Sequence, residues 1–257
     1  MKTKTLSDLR IFLDEKAELF NRKDFIELDP ISIPHRFSKK EDIEISGLLS
    51  ATISWGNRKS IITNAGRMME MMHHSPYEFV AHHTISDLKK LKPFVHRTFN
   101  ADDFISFVQG LRHIYESKGG LETLFTEGFS LHQTAFGAID HFRTHLFEAH
   151  LPARLGKHVA SPEAGSAAKR LNMYLRWMVR RDEAGVDFGV WKNIPMSQLS
   201  IPLDVHTASV SRKLGLLKRT QNDRKTVEEL DVFLRKLDPK DPVKYDYALF
   251  GLGVSGF

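Results

Sequence analysis

Apolar positions recur three and four residues apart along most of this chain, the spacing of helices with one buried face. Residues 5–21 carry Leu6, Leu9, Phe12, Leu13, Leu19 and Phe20 in that way. Arg22 to Phe37 holds Asp29-Pro30 and Ile33-Pro34 and reads as a loop. Ser38 followed by Glu41 has the form of a capping box. The helix predicted after it carries Ile43, Ile45, Leu48, Leu49, Ile53 and Trp55 and is apolar all round at its centre, so it belongs inside. Gly56 breaks it, and a further helix is predicted from about Lys59 to Met72. Asp103 to Tyr115, Gly120 to Phe125 and Leu131 to Ala149 continue the pattern. Leu230, Phe233, Leu234 and Leu237 give another helix, ended near Asp238-Pro239, and Asp246 to Gly253 a last apolar one. No alternating run of β-branched residues longer than about five interrupts these segments. The fold class expected is all-α.

The stretch Gly165–Leu216 holds the residues hardest to explain as packing. At about 100° per residue, Leu171, Tyr174, Leu175 and Met178 share one face of a helix running to about Arg181. Lys169, Met173, Arg176 and Arg180 share the opposite face, with Arg170 beside them. Ser166 is a suitable N-cap, which puts Lys169 in the first turn, where the dipole disfavours a cation by a few tenths of a kcal/mol. A solvated basic face accounts for the same spacing. Further on, Pro202 holds Ile201 extended, and Asp204 stands at the N-cap of a second helix, with Val210 and Leu214 on one side and Gly215 at its end. Asp204 as a cap is worth about 1 kcal/mol, and that role is compatible with a chemical one.

Lys169 opening a helix, then Asp204-Val205-His206 and a helix ending Arg212-Lys213-Leu214-Gly215, resembles the helix-hairpin-helix DNA glycosylases. That superfamily includes endonuclease III and the 8-oxoguanine glycosylases, archaeal ones among them. More specifically, Gly165-Ser166-Ala167, Lys169 to Met173, Leu175 to Arg180, Ile201 to Asp204 and Asp241 to Asp246 are similar to a bacterial family of conserved hypothetical proteins. The resemblance implies a two-lobed fold with a cleft between the lobes: residues 40–130 as a helical lobe, and 1–39 plus 131–257 as a second lobe within one discontinuous unit. It maps a catalytic lysine onto Lys169 and a catalytic aspartate onto Asp204. It places Trp55, Asn57 and Arg58 at a base-inserting and pocket-lining junction, although a plain helix corner with Trp55 in the core fits that stretch equally. Gly165, Ser166, Arg170, Met173, Arg176 and His206 fall on its DNA-binding or base-pocket positions. The chain departs from the pattern in three places. Ala160 to Gly165 offers one glycine where the hairpin usually has two, residues 182–200 read as an insertion, and Ser209 stands where many relatives carry arginine.

The function this implies is a glycosylase/AP lyase acting on double-stranded DNA with a damaged purine, 8-oxoguanine being the expected lesion, through a lysine Schiff base. The alternatives are a non-catalytic helical nucleic-acid binder and a monofunctional glycosylase in which Asp204 activates water. Composition narrows little beyond this. The 257 residues carry a formal charge of +5, compatible with a nucleic-acid partner. Zero cysteines exclude disulfides, thiol catalysis and the iron–sulfur cluster of endonuclease III, and no cofactor is expected. His73-His74, His82-His83 and the His141/His145 pair lack the glutamate of a His-Glu-x-x-His motif, so no metal is expected. No run of about 18 apolar residues occurs, so a cytoplasmic monomer without a membrane partner is expected. Lys218-Arg219 and Arg224-Lys225 suit either phosphate contacts or an exposed loop.

Overall fold

The computed structural model describes residues 5–257 and is all-α apart from one small hairpin. In chain order the helices are α1 (Leu6–Phe20), α2 (Asp24–Glu27), α3 (Lys40–Thr52), α4 (Arg58–Met71), α5 (Pro76–His82), α6 (Ile85–Lys90), α7 (Ala101–Ser117), α8 (Leu121–His132), α9 (Ala135–Phe147), α10 (Lys169–Val179), α11 (Val205–Lys213), α12 (Arg224–Leu237) and α13 (Tyr245–Val254). The hairpin pairs β1 (Val95–His96) with β2 (Phe99–Asn100) in antiparallel register, His96 opposite Phe99. The described residues form two compact units. One contains the chain up to Phe25, Thr134–Phe136 and Pro162–Phe257; the other contains Ile26–Gln133 and Gly137–Ser161.

In the second of these units α3 is buried from Ile43 to Thr52, with Glu44, Ser46, Ser50 and Thr52 among its apolar residues. The expected Ser38–Glu41 capping box does not form. The helix begins at Lys40 with Lys39 as its N-cap and no side-chain cap. Lys39 and Lys40 are instead held by ion pairs to Glu78 and Glu122. Those tertiary partners fix the entry to α3 and shift its start. Around it, Phe125 stacks on Phe142 at 4.7 Å, and Phe94 packs against both Phe99 and Phe104. Asn100 and Asp103 form a reciprocal capping box at the start of α7.

The other unit packs α1 and α11 against α13. Helix α13 is apolar on all sides, and its residues from Tyr245 to Leu249 are buried. Gly251 makes the α1 contact possible: a Cβ there would lie 2.3 Å from the Phe20 ring. Those ring atoms are near the root of the side chain, so α1 itself would have to move. Gly251→Ala is therefore expected to cost about 1–3 kcal/mol, read as a lowered melting temperature with the helical spectrum retained. An unchanged melting temperature would show that the α1–α13 contact is loose. Helix α12 buries Val227, Leu230, Leu234 and Leu237 on one stripe and is capped by Asp223, whose side chain accepts from the Thr226 N–H. No helix among the described residues is long and apolar enough to cross a membrane.

Candidate active site

Lys169 is the first residue of α10. The chain reaches it through a tight turn in which the Gly165 N–H donates to the Pro162 carbonyl at 2.8 Å. Gly165 has φ +90 with open space about it, a conformation that disfavours any Cβ. Two contacts with the start of α12 hold the turn: Ser166 bridges to Asp223, and the Arg224 N–H donates to the Gly165 carbonyl at 3.0 Å. Ser166 is not the helix cap. Its hydroxyl accepts from the Ala168 N–H at 3.1 Å, and Ala168, in the left-handed region at φ +46, takes the cap position. The sharp approach thus leaves α10 without a side-chain cap and puts Lys169 at its very end.

Asp204 arrives from the other side. Pro202 and the extended segment before it are clamped by α12: buried Asp231 accepts from the Ile201 N–H at 3.0 Å, and Arg235 donates to the Ser197 and Leu199 carbonyls. Burial pushes the Asp231 carboxyl up to about 7, against the Ile201 N–H and Arg235, which both favour its charged form. At the end of this segment Asp204 caps α11 as its sequence predicts, one carboxylate oxygen accepting from the Thr207 N–H at 2.7 Å. Its other oxygen lies 4.0 Å from Lys169 Nζ. The lysine side chain is 38% exposed and the aspartate 13%. An accessible amine is thus paired with a mostly buried carboxylate whose orientation is fixed by a cap.

Arg176 and Arg180 overturn the picture of a basic face on α10. Both are buried, at 4% and 2% exposure. Arg176 donates from Nε to Asp187 at 3.2 Å and from Nη1 to Asp246. Arg180 donates to Asp187 at 3.0 Å and to both oxygens of Asp241 at 3.1 Å, and also binds Asp182. Desolvation opposes the charge on Arg180, but Asp187, Asp241 and Asp182 outweigh it and raise the guanidinium above its ordinary value. Both guanidinium groups lie over the Tyr247 ring at 4.5 and 5.3 Å. Arg176 is therefore a buried tie and not a phosphate contact. The 182–200 segment supplies the cover: the Phe188 N–H donates to the Trp177 carbonyl, the Trp191 N–H to the Met178 carbonyl, and the buried Trp191 ring stands edge-on to Tyr174.

Of the remaining residues on this side, Arg170 and Met173 are half-buried on α10, and burial pushes the Arg170 guanidinium down to about 10. His206 is exposed on α11, its ring edge-on to Phe250 at 6.0 Å. Trp55, Asn57 and Arg58 belong to the other unit. There the half-buried Trp55 ring stacks on His158 at 5.7 Å and meets His96 edge-on at 5.2 Å. Asn57 caps α4 by accepting from the Ser60 N–H at 3.1 Å, and Arg58 is the first residue of that helix. His158 is itself held by buried Asp103 at 3.2 Å. The histidines at 141 and 145 serve local contacts, His145 to Glu148 at 2.7 Å among them.

Two residues of the Lys169 site escaped sequence reasoning. Thr207 is fully buried and meets two carboxylates, Asp204 through its N–H and Asp246 through its hydroxyl at 3.4 Å. Asp246 had a signal that was legible: it is a charged residue in an otherwise apolar helix.

A family model described as Protein of unknown function (DUF2400) matches residues 29–255. No curated protein and no solved structure matches the chain.

Proposed function

The chain belongs to this family of unknown function, and from the geometry of its lysine–aspartate pair together with its resemblance to the helix-hairpin-helix glycosylases we propose that it is a DNA glycosylase/AP lyase for a damaged purine, 8-oxoguanine being the lesion that the resemblance implies. The observation that carries the reading is the meeting of Lys169 and Asp204 at 4.0 Å, each at the N-terminal end of its own helix. An amine beside an oriented carboxylate suits amine catalysis at a sugar carbon. The lone pair of the neutral Lys169 amine forms a bond to C1′ of the extruded nucleotide. The C1′–N9 bond breaks, and its electron pair leaves with the base, which takes up a proton. The new ammonium loses a proton toward Asp204, whose carboxylate also balances cationic charge developing on the sugar. The nitrogen lone pair then forms the C1′=N bond as the C1′–O4′ bond breaks, O4′ taking the electron pair and a proton, which leaves a protonated imine between Lys169 and C1′. Loss of a C2′ proton then expels the 3′ phosphate by breaking the C3′–O bond. Extruding the nucleotide costs a few kcal/mol, least for a damaged pair.

The resemblance to the helix-hairpin-helix glycosylases supports the same assignment; it implies a hairpin over Ala160 to Gly165, with one glycine where two are usual. Borohydride trapping on duplex DNA bearing 8-oxoguanine or an abasic site tests the proposal. A covalent protein–DNA adduct is expected; base release without an adduct would favour a monofunctional enzyme, and binding without either would leave a non-catalytic binder.

Binding itself is expected to depend on salt, with a smaller slope than the count of arginines implies. Arg176 and Arg180 are spent internally, and Arg219 is paired with Asp223 at 2.7 Å. Lys218 and Lys225 are exposed. Two phosphate contacts at about −0.9 each give a slope of log K against log salt of about −2. Replacing both by Gln should leave little salt dependence. A flat response in the native chain would remove nucleic acid from its partners.

A further inference from the structure

We propose that Asp246 is a positioning residue for the Lys169–Asp204 pair, acting through Thr207 and through its charge. This rests on the amine chemistry proposed above. Asp246, the second residue of α13, is 6% exposed. One of its carboxylate oxygens takes a hydrogen bond from Arg176 Nη1, and the other from the Thr207 hydroxyl at 3.4 Å. Thr207 also donates its N–H to Asp204 at 2.7 Å. A single buried residue, Thr207, therefore joins the cap carboxylate facing Lys169, through its backbone N–H, to a second carboxylate behind it, through its hydroxyl. The arrangement fixes where Asp204 points, because the first turn of α11 cannot rotate without breaking the Thr207–Asp246 contact.

The charge of Asp246 matters as well, since its carboxyl is buried away from water. Facing it are Arg176 and Lys169 from α10, Asp204 from α11 and Asp187 from the 182–200 segment. On α1, Asp14 is engaged by the Tyr245 hydroxyl and Lys244. Burial pushes the Asp246 carboxyl up to about 6, Asp204 and Asp187 push the same way, and Arg176 and Lys169 oppose them. Below that value the carboxyl is neutral; above it a negative charge stands behind the pair. That charge favours the cationic sugar and the protonated imine through which the proposed reaction passes. The sign follows: ionisation of Asp246 raises the rate as pH rises through about 6.

Two measurements on the intact chain test this. The first is the titration of the Asp246 carboxyl by carbon NMR, which needs no activity. A midpoint near 6 is expected, falling in Asp204→Asn, which removes a like charge, and rising in Lys169→Gln, which removes a cation. A midpoint indifferent to both substitutions would overturn the proposal. The second is the pH profile of single-turnover borohydride trapping. Asp246→Asn is expected to be about tenfold slower than the native chain at pH 8 and to converge with it near pH 5. Thr207→Val removes the hydroxyl contact and keeps the N–H to Asp204, so it serves if Asp246→Asn folds poorly; it is expected to slow trapping at both pH values and to shift the Asp246 midpoint. A profile for Asp246→Asn parallel to the native one would make the residue merely structural and overturn the charge role. If the native chain gives no adduct at all, the glycosylase reading falls, and the coupling among the three residues is decided by the titration alone.

Discussion

Lys169→Gln is expected to abolish the borohydride adduct and strand cleavage, the largest effect on chemistry of any substitution in this chain. The glutamine amide nitrogen has its lone pair delocalised into the carbonyl, so it forms no bond to C1′ and no imine. Its polar head still reaches the region of Asp204, and the pair it replaces is partly exposed, with 38% of the lysine side chain open. Such pairs add little to stability in water. The variant should therefore melt close to the native temperature and bind damaged duplex within a few-fold, having lost at most one phosphate contact. Single-turnover trapping, melting and binding are read on the same preparation. Retention of the adduct by Lys169→Gln would assign the nucleophile to another amine and remove the foundation of the proposed mechanism.

The sequence made the buried character of α3 legible because no charged residue follows Glu44 in it, and small Ser46 can bond back to the preceding turn. It also located the cap of α11, because Pro202 and Asp204 are strong local signals. The pairing of Lys169 with Asp204 is a different matter: nothing local relates residues so far apart, and only the resemblance of the motifs brought them together. The arginines of α10 show how a helical wheel misleads. Arg176 and Arg180 do lie opposite Leu171 and Leu175, but the 182–200 segment, α13 and the turn that precedes it bring Asp187, Asp246 and Asp241 to meet them on that second face. A wheel describes one helix and says nothing of what packs on its polar side. Removing one partner from such a buried set costs about 3–5 kcal/mol, so these arginines are part of what holds α10 in place. Helices α5 and α6 escaped for a simpler reason: seven and six residues hold too few periodic positions to register. The expected cap at Ser166 failed because the turn at Gly165 is tied to α12, which displaces Ser166 from the helix end.

Asp204 is where structural and chemical roles compete, and Asp204→Asn separates them. The carboxylate accepts the Thr207 N–H at 2.7 Å, a contact that an asparagine oxygen reproduces, since Asn caps about as well as Asp. The ion pair to Lys169 is lost, but at 4.0 Å and with a part-exposed partner it is screened. Some relief comes from Asp246, which then faces one carboxylate fewer. The variant is therefore expected to lose well under about 1 kcal/mol of stability. In the proposed reaction the same substitution removes the group assigned to accept a proton from Lys169 and to balance positive charge on the sugar. That loss is expected to raise the barrier by about 3 kcal/mol, a roughly hundredfold drop in single-turnover rate. Folding and binding thus stay near native while turnover falls. Early melting with a native single-turnover rate in the folded fraction would reduce Asp204 to a helix cap, and Lys169 would then have to act without a carboxylate partner.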